Sequence, residues 1–362
     1  MGAIVADHLR EENGVFLSAR PKWFQGLYRN RPLQLSVGAV ASVGLTYLAV
    51  RTLAWRDVAA AFADFPLWSV PIALVPLAVG VLLRAARWHV LLPGKDVSLT
   101  QVALVQNTGI GLNNMLPVRM VSEPVQLALI TRRYRLPFPT ALATLVAGNV
   151  LDIFATAMLM GLGILLVPGL RDGKVSIQLL GALVLFVISL LVFIVVARGL
   201  DAIPIAKRMP FFQQLTVAID LLRDMPGRLW LSFFGTVGHW FFVGVAGWVI
   251  ASALSIDVGP LTMATILVAA MFFTSVVPSL PGGAGTYHFA VVSLMTALGA
   301  DPAVAVVFAV VMHLIIFLPP SVLALVVLWK LGAGMLFRSV EAPLGSTLGP
   351  VPSGAAPDRQ AR

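Results

Sequence analysis

The sequence predicts an all-α polytopic membrane protein with about six full spans and two re-entrant broken-helix pairs, arranged as an inverted repeat. The first observation is composition: of 362 residues, 59% are hydrophobic and 11% are charged, with a mean hydropathy of +0.92. Soluble globular domains are far less apolar. The second is the recurrence of apolar runs of the ~20 residues that cross a bilayer as a helix. The third is that proline and glycine interrupt two of these runs at matching places.

Six apolar segments predict full spans, because each offers roughly the ~20 residues that a helix needs to cross the hydrocarbon layer. They are residues 33–50, 67–92, 138–167, 176–197, 229–254 and 303–330. These segments define a membrane domain at 33–331. Residues 1–32 are charged and polar, so they do not form a signal peptide and are expected in the cytoplasm. Residues 342–362, rich in Pro, Gly and Ser, predict a disordered cytoplasmic tail.

Two further segments each predict a pair of short helices joined by a break. Residues 98–133 carry NNMLPVRMVSEP in the middle, and residues 259–299 carry SLPGGAGTYH. In the first segment only about fourteen residues separate Pro117 from Arg132, fewer than the ~20 of a full span, so this pair is expected to enter and leave on the same side. The second segment is also long enough for two full crossings.

The basic residues predict that both termini lie in the cytoplasm. With these spans, 20 Lys and Arg residues fall on the side of the termini and 4 on the opposite side, leaving Arg119 at the first break. Cytoplasmic loops carry the excess of basic residues. The net charge of +9 is explained by these membrane edges, so a nucleic-acid partner is not expected. The predicted location is the cytoplasmic (inner) membrane.

The halves at about 33–168 and 175–331 share one order of elements: two spans, a broken pair and a final span. The two Leu-Pro dipeptides, at 116–117 and 280–281, stand at the two breaks. Three net crossings in each half is an odd number, which inverts the second half relative to the first. Inverted repeats with broken helices are typical of transporters whose substrate site lies at the breaks. Alternatively, the two Leu-Pro dipeptides of this Leu-rich chain coincide by chance.

Three polar residues near the first break are candidate substrate-binding residues. Arg119 suits an anionic headgroup because a guanidinium group binds phosphate with two hydrogen bonds, and a charge at membrane depth usually has a function. Glu123 can tune Arg119, bind a cationic part of the substrate or carry a proton. Alternatively, Arg119 and Glu123 neutralise each other at i and i+4. Asn114 either contacts the substrate or satisfies backbone groups freed by the break.

The second break supplies five more candidates. Gly282, Gly283 and Gly285 let the backbone turn tightly and present N–H groups to an anion. Alternatively, these glycines allow close packing of helices. Tyr287 and His288 follow at the start of the next helix. Irregular backbone at membrane depth is tolerated where it lines a cavity, so this loop is expected to face one and to meet the tip of the first broken pair near the midplane.

Two further candidates lie in the spans that follow the breaks. Asp152 is the sole charged residue of its predicted span. The spacing between the two Leu-Pro dipeptides also separates Asn149 from His313, so these two residues occupy the same repeat position. Buried polar side chains in a span usually face the protein interior. Asn149 is equally explained by a structural hydrogen bond. His239 is expected at the membrane interface, beside Trp240.

The sequence excludes several kinds of chemistry. The chain has no cysteine, so disulfides, thiolate catalysis and cysteine-ligated metals are excluded. It has no HExxH zinc motif, no GxxxxGK[ST] nucleotide loop and no Ser-His-Asp or paired-carboxylate hydrolase pattern. No catalytic residue, metal or cofactor is therefore predicted. Residues 203–225 predict an amphipathic helix on the cytoplasmic surface.

Two long motifs resemble a known family. NNMLPVRMVSEP followed by ALATLVAGNVLDIFA, and later LPGGAGTYHFAVVSLMTALGADPAVAVVFAVVMH, are similar to the flippase-like membrane domain of the lysylphosphatidylglycerol synthases, over about residues 35–330. The resemblance implies a lipid flippase or polyprenyl-lipid translocase fold with two re-entrant hairpins. The site residues that it implies are Asn114, Arg119, Glu123, Asp152, Gly282, Gly283 and Gly285.

The chain departs from the family pattern at three positions. His288 stands where members often have Glu, Asn149 where they often have Arg, and Ser122 where they commonly have Gly. These differences change the charge expected in the cavity. No soluble aminoacyltransferase domain is expected after the membrane domain, so the chain is not expected to make the lipid itself.

The function predicted from these observations is movement of an anionic phospholipid or lipid-linked precursor across the cytoplasmic membrane. One alternative is a membrane enzyme that acts on a polyprenyl phosphate, with Glu123 or Asp152 as acid or base. Another is a non-catalytic subunit that partners a lipid- or glycan-synthesis enzyme in an assembly complex. A small-solute transporter is a further alternative, and it predicts no opening between helices toward the lipid.

Overall fold

The computed structural model describes residues 31–51, 53–92, 97–116, 122–168, 225–277 and 279–331. Within these ranges the regular secondary structure is helical, without a β-strand. The α-helices are α1 (Arg31–Val50), α2 (Trp55–Ala63), α3 (Ser69–Leu91), α4 (Leu99–Met115), α5 (Ser122–Arg132), α6 (Phe138–Leu166), α7 (Pro226–Ala253), α8 (Pro260–Val276), α9 (Thr286–Ala297) and α10 (Pro302–Leu331). The predicted span at 176–197 and the predicted tail at 342–362 lie outside the described residues, as does nearly all of the predicted surface helix at 203–225.

Four of the described helices, α3, α6, α7 and α10, are long and apolar enough to cross a membrane. They match four predicted spans closely, because a run of ~20 apolar residues is a direct length criterion for a spanning helix. Helices α1 and α2 meet at 85° and count together as a fifth candidate span. Large apolar side chains cover the outer faces of the long helices, including Leu74, Phe154, Phe234 and Leu318. Such a surface suits lipid rather than water.

The helix breaks at both predicted places. Helix α4, of 17 residues, ends before the first break and α5, of 11 residues, follows it. Helix α8, of 17 residues, ends before the second break and α9, of 12 residues, follows a single 3₁₀ turn at Pro281–Gly283. All four arms are shorter than the ~20 residues of a full span. Residues 117–121 of the first break, Arg119 among them, lie outside the described part of the chain.

Glycines let the main helices cross closely. Helix α3 packs along α7 at Gly80, where an added Cβ would lie 3.1 Å from the carbonyl oxygen of His239. Helix α4 packs along α10 at Gly111, where an added Cβ would clash with the Pro320 carbonyl. Small residues at such crossings are the usual means of helix association in membranes. The interior side chains near these crossings are therefore held by closely packed backbones.

Two apolar cores form, and polar residues lie between them. One core is built mainly from α7, α8, α9 and α10, and the other from the end of α3 with α4, α5 and the start of α6. Helix α3 contributes Leu77 to the first core and Trp88 to the second, while α6 contributes Leu159 and Leu145. The stretches between these positions carry the charged residues of both helices. The candidate site begins at this junction.

Candidate functional site

The junction holds a group of three charged residues, Arg84, Arg87 and Asp152, which we call the charged cluster. Helix α3 presents Arg84 and Arg87 at i and i+3, so both lie on one helix face. Asp152 comes from the middle of α6. Arg87 Nη2 lies 3.3 Å from Asp152 Oδ2, and the Arg87 residue is only 7% exposed. Among the described residues this is the one ion pair within 4.0 Å.

Arg87 joins three helices through hydrogen bonds. Its Nη1 donates to the carbonyl oxygen of Gly148 on α6 at 3.2 Å and to Thr236 Oγ1 on α7 at 3.1 Å. The other carboxylate oxygen of Asp152 accepts a hydrogen bond from Trp240 Nε1 at 3.1 Å. The Asp152 side chain is 33% exposed, so the pair is fully buried only on the side of Arg87. Removing one partner of a fully buried pair typically costs about 3–5 kcal/mol, and the cost here is expected to be at or below the low end of that range. The pair therefore fixes how α3, α6 and α7 meet.

Arg84 has a different environment. Its Nη2 donates to Asn107 Oδ1 on α4 at 2.9 Å, and Asn107 in turn donates to the carbonyl oxygen of Ala103. Within the described ranges no carboxylate forms an ion pair with Arg84. The Nε atoms of both Arg84 and Arg87 are buried without a hydrogen-bond partner in the structure. The charged cluster thus holds two guanidinium groups against one carboxylate.

His239 lies beside this cluster, inside the bundle, and the expectation of a membrane-interface position for it is wrong. The residue is 5% exposed, and its Nδ1 lies 2.8 Å from the carbonyl oxygen of Gly80. The absence of a side chain at Gly80 lets α3 approach α7 closely enough for this hydrogen bond. Trp240 points its indole N–H to Asp152 instead of to an interface. The close crossing, which the sequence alone did not locate, explains the difference.

A second polar group lies at the second break, and we call it the break cluster: Asn114, Gly282, Tyr287, His288 and His313. The rings of His288 and His313 are stacked, with centroids 4.7 Å apart and planes 16° apart. Tyr287 meets the His313 ring edge-on at 5.3 Å. Asn114, at the end of α4, has its backbone carbonyl 3.4 Å from the position that a Cβ on Gly282 would take. The end of α4 therefore reaches the turn of the second broken pair.

The Asn114 side chain binds α10 directly. Its Nδ2 donates to the carbonyl oxygen of Phe317 at 3.3 Å and lies 3.5 Å from Ser321 Oγ. The same carbonyl accepts a hydrogen bond from Ser321 Oγ at 2.7 Å. Pro319 and Pro320 stand between these two residues and have no N–H to donate along the helix. Asn114 therefore attaches the tip of α4 to the proline-containing part of α10.

The glycines of the second break form a tight turn. Gly282, Gly283 and Gly285 have φ values of 67°, 73° and 85°, a region that residues with a Cβ rarely adopt. A Cβ on Gly285 would also lie 2.5 Å from the carbonyl oxygen of Ser42 on α1. The glycines therefore serve both turning and close packing, the two structural roles that their sequence pattern allowed.

Three backbone amides of this turn have hydrogen-bond partners on the turn, on α9 or on α1. The N–H of Gly283 donates to the Leu280 carbonyl at 3.0 Å, and the N–H of Gly285 lies 3.4 Å from His288 Nδ1. The N–H of Leu280 donates to Ser42 Oγ at 2.8 Å. These amides are therefore not available to an anion in this conformation. The turn therefore contributes to the break cluster through the course of its backbone, which positions the side chains of the cluster.

Two buried polar atoms of the break cluster have no hydrogen-bond partner in the structure. They are the hydroxyl of Tyr287, a residue that is 0% exposed, and Nδ1 of His313. Buried polar groups nearly always have partners in folded proteins, so an unpartnered one indicates a missing water, ion or ligand, or a functional role. The break cluster therefore has free hydrogen-bonding capacity directed into the protein.

Helix α4 connects the two clusters. Asn107, which binds Arg84, and Asn114, which belongs to the break cluster, are seven residues apart, about two helical turns or ~10 Å along one face. Between and beside them, Gln106 Oε1 and Asn113 Oδ1 are buried without a hydrogen-bond partner. Polar groups thus follow one another from the charged cluster to the break cluster through an otherwise apolar bundle.

The remaining predicted site residues are more dispersed. Glu123 is exposed in the first turn of α5, and Arg119 lies outside the described residues, so their predicted pairing stays a prediction. Asn149 is exposed on α6, whereas its counterpart His313 is partly buried in the break cluster. The structure thus brings together Asn114, Gly282, Tyr287, His288 and His313, and it places Asp152 in the other cluster.

Sequence reasoning missed the role of Arg84 and Arg87, which are two of the 20 basic residues that it counted on the side of the termini. The sequence did contain a signal for this interior role, in two neighbouring helices. Helix α3 continues to Leu91, so both arginines lie inside the helix. The neighbouring helix α4 contains the consecutive polar residues Gln106, Asn107 and Thr108, all of which are buried. Two arginines and a polar triplet on adjacent apolar helices predict interior contacts between them.

Most of the chain matches the model of a protein family. The family model described as Lysylphosphatidylglycerol synthase TM region matches residues 35–324, well over half of the chain, and no curated protein matches. The match runs from α1 into α10 and contains both clusters. It confirms the resemblance that the two long motifs indicated. Together with the long apolar helices, it indicates a multi-pass membrane protein with a role related to membrane lipids.

Proposed function

Because this chain belongs to the Lysylphosphatidylglycerol synthase TM region family, we propose that it moves an anionic phospholipid or lipid-linked precursor across the cytoplasmic membrane. The observation that supports this most is the series of buried and partly buried polar groups from the charged cluster to the break cluster. Polar and ionisable groups inside a membrane bundle are costly and usually mark a substrate path. A headgroup with a phosphate suits a path that begins with two arginines.

The proposed architecture is the six-span inverted repeat with two re-entrant pairs. The starts of α5 and α9 are separated by the same stretch of chain as the two Leu-Pro dipeptides, and so are the starts of α6 and α10. The packing is reciprocal, because α4 packs against α10 while α8 packs against α6. Reciprocal contacts of this kind are expected of two halves related by a pseudo-two-fold axis. The similar lengths of the broken arms favour a re-entrant second pair.

In the proposed mechanism, the headgroup passes through the polar interior while the acyl chains stay in lipid. With both termini in the cytoplasm, α3 ends and α4 begins on the cytoplasmic side, which puts the charged cluster nearer that side than the break cluster. Arg119 and Glu123, just after the first break, would meet the headgroup beyond Asn114. The His288–His313 stack and Tyr287 would provide hydrogen bonds at the second break.

A reconstitution experiment tests the proposal. The purified protein is placed in vesicles that contain a fluorescent phosphatidylglycerol, and dithionite destroys the fluorescence in the outer leaflet, with and without a proton gradient. Wild-type protein is expected to expose inner-leaflet lipid to dithionite. Arg119→Ala is expected to abolish this exposure, with Arg133→Ala, an exposed residue beyond the end of α5, as the matched control. Unchanged transport by Arg119→Ala would contradict the proposed role of Arg119.

The same experiment separates transport from the enzyme alternative. A translocase returns the lipid chemically intact, whereas an enzyme acting on a lipid phosphate changes its mass. A parallel vesicle sample contains unlabelled phosphatidylglycerol and a polyprenyl phosphate and receives no dithionite. Mass spectrometry of its lipids is expected to show that both are unaltered. No exposure of inner-leaflet lipid by folded wild-type protein, for any of several anionic lipids tested, would contradict the proposed transport.

A further inference from the structure

The charged cluster has one more positive charge than negative charge among the described residues. Both carboxylate oxygens of Asp152 are already engaged, one by Arg87 and the other by Trp240. Arg84 hydrogen bonds to the neutral amide of Asn107. The guanidinium charge of Arg84 is therefore not balanced by a described carboxylate.

The surroundings of Arg84 do not resemble those of an arginine that extends toward water. An arginine near the end of a spanning helix normally directs its head group along the helix into the interface. Arg84 instead turns to Asn107, which is 7% exposed, and its own Nε is buried. The Arg84 residue is partly buried, and Ala85, which follows it on α3, is fully buried in the second apolar core. A guanidinium that hydrogen bonds only to a neutral amide, beside a carboxylate already engaged by Arg87, favours a further anionic partner.

The free hydrogen-bonding groups beside Arg84 match a phosphate group. Arg84 has an unpartnered Nε–H, and so does Arg87 one turn along the same face of α3. Guanidinium groups bind phosphate oxygens with charge-assisted hydrogen bonds in preference to most neutral ligands. The oxygens of an ionised phosphate carry negative charge and act as hydrogen-bond acceptors. They therefore satisfy the guanidinium donors and balance the positive charge together.

We propose that Arg84 binds the phosphate group of a membrane lipid, at a site formed between α3 and α4 and continued by Arg87. This site is distinct from the residues around the two breaks and precedes them on the path from the cytoplasmic side. The position of this site on a transport path rests on the proposed function. The binding itself requires only the charge and geometry of the charged cluster.

Arg84→Gln is the most informative variant, because glutamine retains a donor for Asn107 but removes the charge. Arg84→Lys retains the charge and removes the planar group. Arg132→Gln is the matched control, since Arg132 is an exposed arginine in the last turn of α5. If Arg84 served only to attach α3 to α4, Arg84→Gln would bind lipid as the wild type does.

The experiment measures the affinity of the full chain in neutral detergent for three probes, by thermal unfolding. The probes are dioleoylphosphatidylglycerol, dioleoylglycerol, which lacks the phosphate, and inorganic phosphate. We expect wild type and Arg132→Gln to bind the phospholipid equally, Arg84→Gln to bind it at least tenfold more weakly, and Arg84→Lys to fall between them. Dioleoylglycerol should bind weakly to all variants. High salt should leave the wild-type affinity nearly unchanged, because buried charges are screened much less than exposed ones.

The outcomes separate the site from the proposed transport. If Arg84→Gln binds and transports as the wild type does, the site is wrong and the transport stands. If Arg84 is required for binding but the wild type moves no lipid in vesicles, the site stands and the transport is wrong. Stabilisation by inorganic phosphate, with equal binding of the two lipids, would overturn the lipid as the source of the phosphate.

A second measurement on the wild type covers the case in which Arg84→Gln does not fold. A phosphatidylglycerol with a photoreactive headgroup is crosslinked to the protein, and the labelled peptides are identified by mass spectrometry. Labelling is expected in the second half of α3 and in α4. Labelling confined to the exposed basic segment that begins at Arg132 would overturn the proposal.

Discussion

The charged cluster and the break cluster satisfy their polar groups in opposite ways. The charged cluster lies on continuous helices and uses side chains, so that Arg87 alone reaches α6 and α7. The break cluster is uncharged at its described positions apart from its histidines, and it uses stacked rings and a glycine turn. In these two clusters, the full charges lie on continuous helices, while the irregular backbone of the second break is combined with neutral side chains. In lipid, each irregular amide already requires its own partner.

The largest effect is expected from breaking the ion pair. Arg87→Leu removes three hydrogen bonds and leaves Asp152 inside the bundle with Trp240 as its remaining partner. We expect a loss of about 2–3 kcal/mol in the free energy of unfolding, measured by denaturant titration in detergent, because the Asp152 side chain left behind is 33% exposed. Arg87→Leu combined with Asp152→Leu should be more stable than Arg87→Leu alone, because the carboxylate that has lost its ion-pair partner is removed as well. A single variant as stable as the wild type would contradict the structural role of the pair.

A smaller effect is expected at the glycine turn of the second break. Gly285→Ala introduces a Cβ at φ 85° that also meets the Ser42 carbonyl of α1 at 2.5 Å. Gly299→Ala is the matched control, because Gly299 has φ 92° but no atom within 4 Å of an added Cβ. We expect Gly299→Ala to cost about 1 kcal/mol from backbone strain alone and Gly285→Ala about twice that or more. Equal losses in the thermal unfolding of the two variants would show that contact with α1 adds nothing.

The ring stack of the break cluster should contribute less to stability than the ion pair or the glycine turn. Substituting His288 and His313 by alanine, singly and together, gives a double-mutant cycle for the 4.7 Å stack. We expect a coupling free energy of about 0.5–1.5 kcal/mol between the two rings. We also expect lipid transport to fall by more than this small loss of stability would explain. A coupling near zero, with transport unaffected, would remove both histidines from the site.

The smallest effect on stability is expected at Glu123. The residue is exposed in the first turn of α5, so Glu123→Gln should change the free energy of unfolding by no more than about 0.5 kcal/mol. If Glu123 contacts the headgroup, as the sequence predicts, lipid transport should still fall severalfold. Transport and stability both at the wild-type level would exclude Glu123 from the site and move the path toward the two clusters.

The four long helices and the two breaks were predictable because their main signals are local. Four long helices and both breaks lie close to their predicted places, since apolar length and the Leu-Pro-containing breaks act within a segment. The break cluster was predictable for a related reason: Asn114, His288 and His313 stand out as polar residues in apolar runs. The matching order of elements in the two halves then favoured their meeting.

The charged cluster was not predictable in the same way. A sequence gives the position of Arg84 and Arg87 along α3, but it does not give the direction in which their side chains point. That direction depends on the crossings of α3 with α4 and α7, which glycines such as Gly80 make close. His239 was misplaced for the same reason. Tertiary packing decides whether a polar residue near a helix end reaches water or the protein interior.

The most direct test of the account is mass spectrometry of the lipids that co-purify with the protein. The comparison uses the wild type, Arg119→Ala, and the surface control Arg132→Gln. The account predicts that one anionic lipid is enriched in the wild type and in the control, and is lost from Arg119→Ala. Identical lipid profiles in all three proteins, each matching the bulk membrane, would contradict a polar path that carries a lipid headgroup.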